Sequence, residues 1–350
     1  MLRTCLCQLL IFALRLFANG QVDWPQMQPD AARIDRDALT ALSRDLSSDP
    51  HKDIKGLVIL RDNQVVAEYY FNGDDKNTLH DIRSATKSIT ATLTGIAIQR
   101  HLIGSVDDSI SKYLPGLPHD GKQEITIRDL LNMRSGVDVN DDDPSSPGNE
   151  SRLDTSADWI KTVYAVPMKS RPGEEYVYCS INAFILGAIV ENTSKQNLDL
   201  FAEQVLFKPL GISAYKWRRV PINRTAGQGN LSITTRDEAR IGELYLNGGE
   251  FNGHRLIDKT WVEKSSEDQI PISSTDPYAD YYGYMWYSKI EQVGDRTIPV
   301  HFASGNGGNK IYIIPSLGMV VAITSSAYNQ NYGQRRSQDI LLKVLAATRP

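Results

Sequence analysis

The chain has 350 residues, 41% of them hydrophobic and 23% charged, with a formal net charge of −4 and a pI near 5.9. That is globular composition, long enough for one large domain or two moderate ones, and it carries no basic stripe of the kind a nucleic-acid partner requires. The six histidines are scattered and no Cys-x-x-Cys or His-x-x-x-His pattern occurs, so nothing points to a structural zinc site.

Residues 1–20, MLRTCLCQLLIFALRLFANG, combine Arg3, an apolar stretch from Leu9 to Phe17 and small residues at Ala18 and Gly20, with no acid. This is the pattern of an export signal ending near Gly20, and it predicts a secreted or periplasmic protein. Arg15 interrupts the apolar run, which is shorter than the ~20 residues that span a bilayer. Loss of this segment would remove Arg3 and Arg15 and take the formal charge from −4 to −6. It would also remove Cys5 and Cys7, leaving Cys179 with no partner for an internal disulfide.

Residues 56–73, GLVILRDNQVVAEYYFNG, read as a hairpin with a polar turn at Arg61–Gln64. Next comes IRSATKSIT, in which Ser84 and Lys87 stand three apart, and beyond it Ile89, Leu93, Ile96 and Ala97 recur at helical spacing. ITIRDLLNMRSG predicts a helix stopped by Gly136, and INAFILGAIVEN predicts another. Between them residues 139–154 are acidic and turn-rich. They lack the ligand spacing of a calcium loop and read as a solvated loop. Toward the C-terminus YYGYMWYS, NKIYIIP and MVVAITS read as strands, the last two joined by a turn at Pro315–Gly318, and a final helix is expected near Ser337–Ala347. Strands at both ends with helices between predict an α+β (α/β) chain. Its sheet-containing domain comes from residues 21–90 and 215–350, and a mainly helical domain from residues 91–214.

The Ser-x-x-Lys spacing occurs twice. Ser109 and Lys112 sit between an acidic pair and a Pro-rich turn, a surface setting. Ser84 sits where an apolar helix begins. There, free backbone N–H groups and the helix dipole favour developing negative charge, and Lys87 returns to the same face. Burial would depress the lysine pKa and let Lys87 take the serine proton. Two more segments suit such chemistry. RPGEEYVYCSINAFILG offers Tyr178 as a second proton-transfer group just ahead of a helix, and HFASGNGGNKIYIIP offers a glycine-rich turn beside a strand. Taken singly, such a tyrosine is more often a packed core residue and such a glycine-rich turn more often a plain turn.

Together these residues resemble a known family. Ser84-Ala85-Thr86-Lys87 is similar to the Ser-x-x-Lys motif of serine β-lactamases and penicillin-binding proteins. Tyr178-Cys179-Ser180 is similar to the Tyr-x-Asn element of the class C branch, and Ala303-Ser304-Gly305 falls where that branch has Lys-Thr-Gly. The order and rough spacing match over most of residues 50–330, and the flavour is that of the β-lactamase-related esterases and 6-aminohexanoate-dimer hydrolases. The resemblance implies a β-lactamase/transpeptidase-like fold, an antiparallel sheet flanked by helices plus a mainly helical second domain, with the site between them. It implies Ser84 as nucleophile, Lys87 as its base and Tyr178 as proton relay. It also implies an oxyanion hole from the N–H groups of Ser84 and Asn306, substrate contacts at Ser304 and Gly305, and Ser180 in place of the asparagine.

Ser180 for asparagine and Ala303 for lysine depart from the pattern. They point away from β-lactams toward esters or small linear amides as small-molecule substrates. Lys310 or Arg134 is the candidate for a replacement cation. No cofactor is implied. The alternatives are a D-alanyl-D-alanine carboxypeptidase or β-lactamase, and a catalytically silent binding homologue.

Overall fold

The computed structural model describes residues 24–141 and 143–349. The proposed export signal lies outside the described residues. The first helix, α1 (Arg36–Ser47), is capped by Asp35, whose carboxylate accepts from the Asp37 and Ala38 amides. Strands β1 (Ile54–Arg61) and β2 (Gln64–Tyr70) form the expected hairpin. Its turn residues Asp62 and Asn63 both take left-handed φ, 49° and 59°, which matches the twist of the strands.

Helix α2 (Thr86–Gln99) follows, then α3 (Ile127–Leu131), α4 (Glu150–Asp154), α5 (Ser180–Ser194) and α6 (Thr235–Leu246). The chain then returns to strands with β3 (Ile270–Pro271), β4 (Tyr281–Gly283), β5 (Trp286–Val293), β6 (Arg296–Gly305), β7 (Asn309–Ile314) and β8 (Met319–Ser325), and ends in α7 (Gly333–Ala347). These strands form one antiparallel sheet of order β3-β4-β5-β6-β7-β8-β1-β2, so the hairpin from early in the chain completes the sheet built late.

The centre of the sheet is covered on both faces. Ile311 of β7 points at α6, where a β-carbon on Gly242 would stand 3.0 Å from it. Lys310 and Tyr312, its strand neighbours, point the opposite way by the alternation of a strand, toward α7. Every residue of β7 and β8 is buried, which is why both strands read as continuous apolar runs rather than alternating ones.

Four expectations need correction. ITIRDLLNMRSG stops being helical at Leu131, well before Gly136. The Asn132 side chain accepts from the Tyr284 amide (3.0 Å) and donates to Gln269 Oε1 (3.0 Å), and Met133 turns to φ 55°. YYGYMWYS is not one strand but the β4–β5 hairpin, turning at Tyr284 and Met285. The last helix begins at Gly333, not Ser337. Residues 139–154 are solvated only in part: residues 143–145 and 147 are exposed, but Ser146, Gly148 and Asn149 are buried. The Asn149 side chain donates to the Asn140, Asp141 and Asp143 carbonyls at 3.0–3.1 Å, and the segment closes into α4.

Candidate active site

Ser84 lies in a short 3-10 turn, Arg83–Ala85, that feeds α2. Arg83, just before it, has φ 52°, a conformation that costs a non-glycine residue about 1 kcal/mol or more. Asp81 holds it there by accepting from the Arg83 amide at 2.9 Å, and Asn230 in turn donates to the same carboxylate at 3.0 Å.

Lys87 is 2% exposed. It donates to Ser84 Oγ (2.9 Å) and to the Gln228 carbonyl (2.9 Å), and its nitrogen lies 5.1 Å from the Tyr178 ring centroid. Ser180 is not one of these two acceptors. That residue is buried at the start of α5 and gives its backbone N–H to Asp141 Oδ2 at 2.6 Å.

Burial pushes the Lys87 ammonium toward neutrality, as expected from the sequence. It is outweighed by Tyr178, Glu150 and Asp141, so the lysine pKa lies above its ordinary value. The expectation of a depressed Lys87 is therefore overturned. Glu150 and Asp141 were invisible in the sequence because they sit in the stretch that resembled a surface loop. Their one signal was an acidic cluster shortly ahead of the tyrosine motif.

Gly305, at the end of β6, packs against the Ser84 turn so tightly that a β-carbon on it would lie 2.0 Å from the Ile82 carbonyl oxygen and 3.2 Å from the Ala85 nitrogen. Asn306 follows in the turn beyond the strand. Its side chain makes a reciprocal pair with Asn329, accepting from the Asn329 amide (2.7 Å) and donating to Asn329 Oδ1 (2.9 Å), while the Asn306 carbonyl accepts from Asn309 (2.9 Å). Ala303 is fully buried. Ser304 faces the other way, and its Oγ accepts from Lys310 Nζ at 2.8 Å. Of the two candidate cations, Lys310 is thus in contact with the motif, while Arg134 donates to the Glu174 carbonyl at 3.1 Å.

The second Ser-x-x-Lys pair is not assembled for chemistry. Ser109 Oγ donates to the Gln123 carbonyl (2.6 Å), and exposed Lys112 pairs with Asp108 instead. Cys179 is buried and free, its thiol pushed up to about 12 by desolvation, which makes it inert. Tyr282 is 1% exposed and packs edge-on to Tyr176 and Tyr287, with centroids 5.4 and 4.7 Å away, a core role.

An antiparallel sheet with a serine and a buried lysine at the foot of a helix between sheet and helices is the arrangement of a serine acyl-transfer enzyme. The chain belongs to the β-lactamase family, whose model, described as Beta-lactamase, matches residues 47–347. It is a serine hydrolase of that family, whose members act on ester or amide bonds.

Over 299 residues it is 24% identical to the 6-aminohexanoate-dimer hydrolase of Paenarthrobacter ureafaciens, covering 77% of this chain and 71% of that one. Over 237 residues it is 27% identical to a Salmonella schwarzengrund protein provisionally named D-alanyl-D-alanine carboxypeptidase, covering 58% of this chain and about half, 53%, of that one. In fold it is similar to a Bacillus anthracis structure provisionally named 6-aminohexanoate-dimer hydrolase, with a TM-score of 0.75, 19% identity and coverage of 93% and 87%. Among the described residues no helix is long and apolar enough to cross a membrane.

Proposed function

We propose that the protein hydrolyses short-chain esters or small linear amides through an acyl-enzyme on Ser84. The site would lie between the sheet-containing part (residues 21–90 and 215–350) and the helical part (residues 91–214). The observation that carries this reading is Lys87 Nζ at 2.9 Å from Ser84 Oγ, with the Tyr178 ring centroid 5.1 Å from the same nitrogen.

Ser84 Oγ attacks the substrate carbonyl carbon. Its proton passes to the neighbouring Lys87–Tyr178 pair, which in the reactive state is one proton short of its full complement. The pair then hands that proton to the leaving group as the C–O or C–N bond breaks. The carbonyl oxygen, negative in the tetrahedral intermediate, takes hydrogen bonds from the Ser84 and Asn306 amides. Water then repeats the cycle on the acyl-serine, giving its proton to the same pair and releasing the acid.

The buried alanine at 303 supports esters and linear amides over β-lactams, since it offers no donor to a carboxylate beside the scissile bond. The similarity to a protein named 6-aminohexanoate-dimer hydrolase supports the same class. We also read residues 1–20 as an export signal.

The test is a fluorophosphonate label followed by mass spectrometry of the adduct, with p-nitrophenyl butyrate and nitrocefin turned over by the same preparation and Ser84→Ala as the blank. A labelled Ser84 and a higher kcat/KM for the ester support the reading. An unlabelled Ser84 ends it, and faster nitrocefin turnover moves the substrate to the carboxypeptidase or β-lactamase class.

A further inference from the structure

Lys310 is 1% exposed and has no part in the steps above. Its Nζ lies 4.5 Å from the Phe302 ring centroid and 5.8 Å from that of Tyr312, and donates to Ser304 Oγ at 2.8 Å. The contacts continue. Ser304 Oγ donates to Gln334 Oε1 at 3.3 Å, and Gln334 Nε2 donates to the Gly305 carbonyl at 2.8 Å, which also accepts from the Gly308 amide at 3.1 Å. The Gly305 carbonyl and the Asn306 N–H are the two ends of one peptide unit. Amide resonance couples them, so donors on the oxygen make the N–H a stronger donor, and hydrogen bonds in series reinforce one another.

We propose that Lys310, Ser304 and Gln334 form a hydrogen-bond chain that aims and polarises the Gly305–Asn306 peptide toward the oxyanion, with Lys310 and Gln334 as positioning residues. This rests on the reading of the Asn306 N–H as an oxyanion donor. A protonated Lys310 has three donors and no acceptor. It forces the Ser304 hydroxyl to point its own proton at Gln334, whose amide is then oriented to donate to Gly305. A neutral Lys310 has a lone pair and can accept from Ser304, which withdraws that proton from Gln334 and slackens the chain.

Burial brings the Lys310 pKa down to about 7, which places this change near neutrality. The charged group acting on Lys310 is Asp276, in the segment between β3 and β4, which raises it. From β5 and α7, Glu291 and Asp339 act on the neighbouring Tyr312. The strands on either side face it with the Ser304 hydroxyl and with Ile323 of β8.

The experiment measures kcat and KM for p-nitrophenyl butyrate over a pH series for the wild type, Lys310→Met, Gln334→Ala and the double variant. The wild type should carry a several-fold fall in kcat as pH rises through about 7, with KM unchanged. Both single variants should lack that step. Gln334→Ala should lower kcat about 10-fold, less than the 10²–10³ lost when a whole oxyanion donor is removed. The double variant should be no slower than Gln334→Ala, because the residues act in series.

A step that persists in either variant, or losses that multiply in the double, overturns the chain. Gln334 is half-buried at the start of α7, so its variant remains informative even if Lys310→Met fails to fold. Fluorophosphonate labelling separates the two levels. A wild type that does not label on Ser84 sinks the acyl-enzyme reading itself, whereas a labelled wild type with unchanged variant profiles sinks only the chain.

Discussion

Gly305 and Ile82 approach so closely that a β-carbon on the glycine would meet the Ile82 carbonyl oxygen at 2.0 Å. This contact sets the distance between β6 and the turn carrying Ser84. Gly305→Ala must therefore push strand and turn apart. The expected result is a stability loss of about 2 kcal/mol, in the range of overpacked cores, and a fall in kcat of roughly 10², as for a displaced reacting group. Thermal unfolding and steady-state kinetics on the same variant check both. Wild-type values in each would show that the contact does not position the site.

Ser84→Ala should abolish turnover and lower the melting temperature only modestly, because it removes a half-buried hydroxyl and with it one acceptor of the buried Lys87 ammonium. Ser109→Ala should retain activity. It costs a surface cap, with Ser109 accepting from the Ser111 amide, worth about 1 kcal/mol. The opposite pattern of activities would reassign the nucleophile.

Lys87→Ala and Tyr178→Phe should each lower kcat by roughly 10² or more, the usual weight of a proton-transfer group. The double variant should be little worse than the poorer single one, since the pair handles one proton between them. Multiplying losses would mean that the two work independently.

Against burial, Tyr178 and the carboxylates of Glu150 and Asp141 hold Lys87 above its ordinary pKa, so the two carboxylates keep it protonated to higher pH. Glu150→Gln and Asp141→Asn remove that pull while preserving shape. Each should shift the rising limb of the pH–rate profile to lower pH, because the pair then loses its proton more readily. A limb that moves upward, or not at all, contradicts the electrostatic role given to these two residues.

Introducing Ala303→Lys should raise nitrocefin hydrolysis relative to ester hydrolysis. A charge-assisted bond to a substrate carboxylate contributes about 1.5–3 kcal/mol, or one to two orders of magnitude in kcat/KM. The ratio of the two rates is the measurement. An unchanged ratio would falsify the missing cation as the reason for the preference.

What the sequence disclosed followed the reach of its local patterns. Ser84 and Lys87 were legible because a three-residue step along a helix fixes their neighbourhood whatever the rest of the chain does. The hairpin at Asp62–Asn63 was legible because its turn residues tolerate left-handed φ. Gln228 was not, because it contributes only a carbonyl, which every residue has. Glu150 and Asp141 were not, because an acidic stretch looks the same in solvent and in a folded loop. Lys310 was flagged only as a replacement cation. Its contact with Ser304 depends on the register between β6 and β7, which pairs Ser304 with Lys310 and which no spacing within one strand reveals.

The β4–β5 turn bears on the order in which the molecule assembles. Tyr284 and Met285 sit at φ 48° and 63°, where bulky residues are disfavoured, and both side chains are nearly fully buried. Such a turn cannot nucleate its own hairpin, because its backbone becomes tolerable only once its side chains have somewhere to pack. Its bonds then run to the Leu131 carbonyl, to Asn132 and to Ser88, one turn of α2 beyond Ser84. The clasp beside the reactive serine thus exists only where β5, α2 and the end of α3 already meet, so the position of Ser84 is tied to packing between segments far apart in the chain.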